Sequence, residues 1–175
     1  MDHLFGPAQI AGLLVLLQRG LEELHSQRNT RRLLAEGAHE EGRAFYPVVA
    51  VAHLAWLAGL FFLVPADAAV SVPLLVAYLV VQVVRYWVIG TLGRYWTHRI
   101  ITTDAAPIVR AGPYRLVRHP NYWVTIVETF LLPAVFGAYA LAVIMGSLWL
   151  SVISYKIALE DAALAARRAK GVTGA

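Results

Sequence analysis

The chain has 175 residues, of which 59% are hydrophobic and only 15% charged, and its mean hydropathy is +0.60. A soluble domain of this size cannot bury so much apolar surface, so the composition excludes an ordinary water-soluble globule and indicates a membrane protein. The net charge of +4 comes mostly from arginines beside apolar runs, which favours membrane topology over nucleic-acid binding. The absence of cysteine excludes disulfides and thiolate metal sites.

Five apolar segments, taken in chain order, predict about five transmembrane helices, since one span needs roughly 20 apolar residues. The predicted spans are Leu4–Leu17, Tyr46–Val64, Val72–Gly93, Tyr122–Phe136 and Tyr139–Tyr155. The first segment is long enough only if its helix continues to Leu24, and an interfacial amphipathic helix is the alternative there. We therefore predict one all-α membrane bundle that occupies residues 1–175.

The clusters of basic residues lie on one side of this five-span bundle. They fall in Arg19–Arg43, in Arg94–Arg118 and at Arg167, Arg168 and Lys170, whereas the links 65–71 and 136–138 contain none. By the positive-inside rule that side is cytoplasmic, so the N-terminus is predicted outside and the C-terminus in the cytoplasm. The segment Arg19–Arg43 mixes arginine with glutamate and is predicted to be a solvated helical link.

Two charged residues lie inside predicted spans, where ionisable groups are costly. Arg85 shares a helix face with Gln82, and Glu128 shares a helix face with Thr125. The two charges either neutralise one another in an ion pair that locks packing, or line a cavity for a polar ligand head. His53 is predicted to be a hydrogen-bonded core residue, and the spacing of acidic and histidine residues predicts no metal site.

The run "GPYRLVRHPNY" (residues 112–122) concentrates polar and aromatic residues at the start of the fourth span. Its two prolines break helices, and Pro120 suits the first turn of the following helix. Arg118 and His119 stand just before that helix, whose N-terminus offers free N–H groups and a positive dipole end. The run is thus either an anion-binding site or an arginine-rich loop against lipid head groups.

Three blocks of sequence, "LGRYWTHRI", "IVRAGPYRLVRHPNY" and "KIALEDAAL", resemble the isoprenylcysteine carboxyl methyltransferase family. Its wider relatives include membrane phospholipid N-methyltransferases. The resemblance covers residues 92–164 and implies S-adenosylmethionine as methyl donor, bound at the cytoplasmic side, with S-adenosylhomocysteine as product. It also implies the residues that hold this cofactor, which are Tyr114, Arg118, His119, Pro120, Tyr122, Glu160 and Asp161.

The chemistry of the donor suits these residue types. A carboxylate binds arginine, histidine or helix N–H groups, an ammonium binds a carboxylate, and an adenine ring stacks on tyrosine. Glu160 is also four residues after Lys156, so a simple surface ion pair is the alternative for that acid.

The acceptor implied by the resemblance is an amphipathic lipid-like molecule whose tail lies in the bilayer. It is a prenylcysteine-like carboxylate, an alkylpyrone- or alkylresorcinol-like hydroxyl, or a phospholipid amine. The chain ends in "AARRAKGVTGA" and lacks the aromatic-rich tail of eukaryotic members, and its central block is closer to small bacterial members, which predicts a bacterial inner-membrane protein.

We predict that Arg85, Trp96, His98 and Glu128 lie near this acceptor. Arg85 would hold an anionic acceptor, and His98 or Glu128 would take a proton from a hydroxyl group. Two non-enzymatic alternatives remain at this stage: a membrane binding or scaffold protein of the same fold, and a small transporter built on Arg85 and Glu128.

Overall fold

Five α-helices form the fold of the residues that the computed structural model describes, which are 5–103 and 109–173. The helices are α1 (Pro7–Ala35), α2 (Tyr46–Leu63), α3 (Val72–Leu92), α4 (Pro120–Val135) and α5 (Tyr139–Thr173). The predicted all-α membrane bundle is confirmed. Two three-residue strands, β1 (His39–Glu41) and β2 (Ile100–Thr102), were not predicted and pair antiparallel with Glu40 opposite Ile101.

Three helical segments within the described residues are long and apolar enough to cross a membrane. They are Arg43–Leu63, Val72–Tyr95 and Tyr139–Ala162. α4 has only 16 residues, and α1 carries charged residues along its second half. α1 and α4 therefore complete a bundle whose most apolar members are α2, α3 and α5.

Successive helices run in opposite directions and define two ends of the bundle. At one end lie the links 64–71 and 136–138, joined where the Ser71 N–H donates to the Val135 carbonyl at 2.8 Å. At the other end lie residues 36–45 and the described turns 93–103 and 109–119, which carry six of the thirteen arginines. We call this second end the basic end. The side chains of Arg167, Arg168 and Lys170 lie outside the described part of the chain.

The core lies where the helices meet, and the outer faces remain apolar. Trp56, Leu60 and Leu132 are fully or almost fully buried in the larger apolar cluster, and Trp149 anchors a second cluster nearer the basic end. Large apolar side chains such as Phe62, which is 78% exposed, point away from the protein. That distribution fits a bundle whose outer surface contacts lipid rather than water.

The second half of α1 confirms the predicted helical link after Arg19 as far as Ala35, but the prediction that this link is solvated is wrong on one face. One face of this second half is buried against the bundle, and it carries Arg19, Glu22, Ser26, Asn29, Thr30 and Leu33. Buried polar side chains are stabilised by hydrogen-bond partners. Arg19, Glu22, Ser26 and Asn29 find theirs on α3, α4 and the turn after α3, whereas the Thr30 hydroxyl has none among the described residues. Leu4, where the first predicted span begins, lies outside the described residues.

Candidate functional site

A cavity of about 740 Å³ opens at the basic end of the bundle, a volume typical of small-molecule sites. Its walls come from the turns between α3 and α4, from the first turn of α4 and from α5. The polar and aromatic residues that line it are Tyr95, Trp96, Thr97, Arg99, Thr103, Arg110, Tyr114, Arg115, Arg118, His119, Asn121, Tyr122 and Glu160. Arginine predominates among the charged groups of this lining.

The run at residues 112–122 folds into a 3₁₀ turn followed by the start of α4. The turn spans Gly112–Arg115, and Gly112 has a φ of +50°, which a residue with a Cβ rarely adopts. A Cβ there would also stand 2.7 Å from the Thr91 hydroxyl oxygen. α4 begins at Pro120 with His119 as its N-cap, so the prediction that Pro120 opens this helix is confirmed.

Two remote segments of opposite charge meet at this cavity. The Tyr122 hydroxyl donates to Glu160 Oε2 at 2.5 Å, and the His119 ring lies on the Tyr122 ring with centroids 5.5 Å apart. Asp161 Oδ1 lies 3.4 Å from His119 Nε2, and Asp161 Oδ2 lies 3.8 Å from Arg118 Nη1. The end of α5 thus supplies an acidic wall opposite the basic and aromatic start of α4.

The sequence-predicted cofactor residues lie at or directly behind this cavity. Five of them line it: Tyr114, Arg118, His119, Tyr122 and Glu160. Pro120 is buried at the start of α4 and does not line it, and Asp161 contacts the lining residues Arg118 and His119. Burial and the nearby Glu160 raise the pKa of Tyr114 well above its usual range, so its hydroxyl stays protonated at neutral pH.

One buried polar atom at the cavity has no hydrogen-bond partner among the described residues. It is His119 Nε2, whose contact with Asp161 does not have hydrogen-bond geometry. A buried polar atom without a partner costs about 1–3 kcal/mol.

Arg85 and Glu128 form an ion pair, one of the two predicted alternatives, with Arg85 Nη1 at 3.1 Å from Glu128 Oε2. The pair belongs to a larger buried cluster. Arg85 also binds Glu22 through Nε at 2.8 Å and Nη2 at 2.5 Å, and Arg19 binds both Glu22 at 2.7 Å and Glu128 at 2.8 Å. We call these four residues the charge cluster. At 1.5 Å of rise per residue it lies about 10–12 Å inward from the ends of α3 and α4.

His98 lies between the cavity and the charge cluster. Its Nδ1 is 2.8 Å from Glu23 Oε2, and its ring meets the edge of the cavity-lining Trp96 ring at 4.7 Å between centroids. Burial lowers the pKa of His98 despite the hydrogen bond to Glu23, which raises it. A neutral His98 that donates its Nδ1 proton to Glu23 has a lone pair at Nε2.

Lys156 is not the surface partner of Glu160 that the helical spacing suggested. It is only 8% exposed, its ammonium donates to the His98 carbonyl at 2.6 Å, and it lies 5.3 Å from the Tyr122 ring centroid. His53 is half-buried and packs at a steep angle against the rings of Trp56 and Trp149. Its Nε2 has no hydrogen-bond partner among the described residues, so the predicted hydrogen bond is not found there. Within residues 5–103 and 109–173 no group of three acidic or histidine residues is arranged to hold a metal ion.

The three residues predicted to act on the acceptor therefore fall into two places. Arg85 and Glu128 are 3% and 1% exposed inside the charge cluster, and His98 stands behind Trp96. None of the three is among the described residues that line the large cavity. Sequence reasoning missed Arg19, Glu22 and Glu23, although Arg19, Glu22, Ser26 and Asn29 recur at intervals of three and four residues, which marks one helix face.

A helical membrane bundle with a polar ligand cavity at its basic end is the class of protein that this fold defines. Residues 73–166 match the isoprenylcysteine carboxyl methyltransferase (ICMT) family, and the chain belongs to that family. Family membership implies a membrane methyltransferase. The chain is also 30% identical over 155 residues to the uncharacterized protein YpbQ of Bacillus subtilis (strain 168), which covers 86% of this chain and 92% of that protein. No solved structure matches the chain.

Proposed function

We propose that the protein is an S-adenosylmethionine-dependent methyltransferase that acts on a carboxyl or hydroxyl group of an amphipathic, lipid-like acceptor. One observation carries the proposal. Two remote chain segments of opposite charge, around His119 and around Glu160, converge on one 740 Å³ cavity in a chain of the ICMT family. A zwitterionic ligand needs both charges in one site, and a lipid-head-group loop does not need the acidic segment.

The residues at the cavity fit the cofactor group by group. Arg118 and His119 suit the carboxylate, and Glu160 suits the ammonium. The Tyr114 ring offers a flat apolar face for adenine. The cofactor supplies a methyl group on a positively charged sulfur, so the protein has mainly to position the acceptor oxygen in line with it.

The acceptor side of the proposal rests on His98 and the charge cluster. Neutral His98 has its Nε2 lone pair available to accept a proton from a hydroxyl group, and Glu23 holds the ring through Nδ1. Arg85 and Glu128 lie deeper, inside the charge cluster. Arg85 would hold an anionic oxygen, and Glu128 would accept a proton where the acceptor is uncharged.

A phospholipid amine is a poorer acceptor for this site. Four arginines line the cavity, at positions 99, 110, 115 and 118, against one lining glutamate, Glu160. Two of them have carboxylate contacts: Arg99 with Glu40 at 2.9 Å, and Arg118 with Asp161 at 3.8 Å. The surplus of positive charge favours an acceptor that is neutral or anionic over one that carries an ammonium group.

The decisive experiment is calorimetric titration of the purified, detergent-solubilised protein with S-adenosylhomocysteine. Methyl transfer from labelled S-adenosylmethionine is then measured with a prenylcysteine-like acid, an alkylresorcinol-like phenol and a phosphatidylethanolamine. We expect saturable cofactor binding and transfer to the acid or the phenol. If folded protein does not bind S-adenosylhomocysteine, the chain is a non-catalytic member of the family.

Glu128→Gln is expected to lower turnover about tenfold while the affinity for S-adenosylhomocysteine stays at the wild-type value. The amide keeps the shape of the side chain and can still accept one hydrogen bond, but it has neither the charge nor the basicity of a carboxylate. Initial rates and calorimetry measure the two quantities. Glu36→Gln, at an exposed glutamate, is the matched control. Wild-type turnover in folded Glu128→Gln would leave Glu128 as a packing partner of Arg85 only.

We also propose that the basic end faces the cytoplasm of a bacterial inner membrane, because the arginines cluster there. Reporter fusions after Asp67 and Gly137, which lie in the links at the opposite end, should report the outside. Fusions after Glu36 should report the cytoplasm. A cytoplasmic signal from Asp67 would contradict this orientation.

A further inference from the structure

The second half of α1 binds the backbone of the turn that follows α3. The Asn29 side-chain amide donates to the Gly93 carbonyl at 3.1 Å and to the Trp96 carbonyl at 2.8 Å. The Ser26 hydroxyl oxygen accepts the His98 N–H at 2.8 Å. Two side chains one helical turn apart thus bind three backbone groups between residues 93 and 98.

Two side-chain contacts from the same helix support this arrangement. Glu23 binds His98 Nδ1, and the His25 ring lies nearly parallel to the Trp96 ring with centroids 5.8 Å apart. The serine and the asparagine are 1% and 8% exposed, and polar groups buried so deeply persist only where their hydrogen bonds are satisfied. The contacts therefore define one position of the turn relative to α1.

The turn that α1 holds is itself a wall of the cavity, because Tyr95, Trp96, Thr97 and Arg99 line it. α4 and α5 contact the same turn, where the Trp96 indole N–H donates to Asn121 at 3.4 Å and Lys156 binds the His98 carbonyl. The turn thus lies between α1 on one side and the cofactor-side helices on the other. α1 lies outside residues 73–166, the part of the chain that matches the family.

We propose that Ser26 and Asn29 are positioning residues, which set the place of the wall formed by Tyr95, Trp96 and Thr97 and through it the affinity of the cavity for its ligand. Neither residue lines the cavity, so each acts through the backbone that it binds. A small displacement of a wall weakens every contact that the wall makes with a ligand. The inference rests on the proposed function, since it assigns to α1 a role in the same site.

Asn29→Asp is the sharpest test, because the carboxylate has the shape of the amide but no N–H to donate to the two carbonyl groups. We expect the Kd for S-adenosylhomocysteine to rise about tenfold. Ser26→Ala, which removes the acceptor for the His98 N–H, should also raise the Kd for S-adenosylhomocysteine. The matched controls are Arg28→Ala, at an exposed position of α1, and Ser154→Ala, at an exposed serine of α5; both should leave the Kd unchanged.

Measuring the Kd distinguishes a positioning role from a purely stabilising one. If a substitution only lowers stability, the protein that is still folded at the assay temperature binds with the wild-type Kd, because the apparent Kd rises only when the folded fraction falls. A wild-type Kd in both folded variants, at whatever melting temperature, overturns the inference. If Asn29→Asp does not fold, Ser26→Ala alone decides.

Hydrogen exchange read by mass spectrometry gives a measure that needs no ligand. The amides of residues 93–102 should exchange faster in Ser26→Ala and Asn29→Asp, while those of α4 keep their wild-type rates. Wild-type protein that fails to bind S-adenosylhomocysteine would sink the proposed function, and the exchange rates would still test the positioning. Unchanged exchange at residues 93–102 in both variants would overturn the positioning role of Ser26 and Asn29.

Discussion

Arg85→Met is expected to lower the free energy of unfolding by about 3–5 kcal/mol, the usual cost of breaking a buried ion pair from one side. Arg85 contributes three hydrogen bonds to two carboxylates, those of Glu22 and Glu128, and is 3% exposed. Methionine fills much of the same volume but leaves the two carboxylates with Arg19 as their only remaining charged partner in the cluster. Denaturation in mixed detergent micelles measures the loss.

Arg28→Met is the matched control for this prediction, because Arg28 is exposed on α1. Its effect should stay within about 0.5 kcal/mol. Glu128→Gln should cost less than Arg85→Met, since its amide oxygen can still accept a hydrogen bond. A loss below about 1 kcal/mol for Arg85→Met would show that the charge cluster is not a buried, desolvated network.

The helices around the charge cluster show which features of the fold the sequence predicts and which it does not. Apolar runs predicted α2 and α3 to within one residue at each boundary, because their length and composition leave few alternatives in a membrane. Pairing of Arg85 with Glu128 was one of the two alternatives that the sequence offered, since each is an isolated charge in an apolar helix. The partners Arg19 and Glu22 were missed because they stand in a segment rich in charge, where hydropathy indicates solvent.

Hydropathy does not predict that the second half of α1 is buried, because the buried face is polar. The residues Arg19, Glu22, Ser26 and Asn29 follow helical spacing, but only the positions of α3, α4 and the turn after Leu92 show that the face has partners. A surface ion pair with Glu160 was one of two alternatives for Lys156, and the spacing alone did not exclude it. An i,i+4 acid predicts a surface pair, whereas its real partners are a carbonyl and an aromatic ring that are remote in sequence.

The cavity was predicted more fully than the acceptor side. The residues from Tyr114 to Tyr122 form one short run, and their approach to Glu160 followed from the resemblance to a family rather than from spacing. The two strands β1 and β2 have three residues each, too few for a period-two pattern to indicate them. Their pairing depends on where α1 and α3 end, which no local signal encodes.

Arg118→Ala, His119→Ala and Glu160→Gln are each expected to weaken S-adenosylhomocysteine binding about tenfold to a hundredfold. A hydrogen bond to a charged group contributes roughly 1.5–3 kcal/mol, and each 1.4 kcal/mol is a factor of ten in Kd. Glu160 should have the largest effect, because it is the lining acid, and its loss leaves the ligand ammonium among the arginines of the cavity. Calorimetric titration of the folded variants gives the three Kd values.

Tyr139→Phe is the control, since Tyr139 is exposed at the opposite end of the bundle and should leave the Kd unchanged. Tyr122→Phe adds a second comparison. It keeps the ring that stacks on His119 but removes the hydroxyl that binds Glu160, so it should weaken binding less than Glu160→Gln does. If the run 112–122 served only to contact lipid head groups, Arg118→Ala would alter membrane insertion and Glu160→Gln would be silent. Unchanged affinity in both Arg118→Ala and Glu160→Gln would contradict the proposed cofactor site, because a zwitterion bound there needs both the basic wall and the acidic wall.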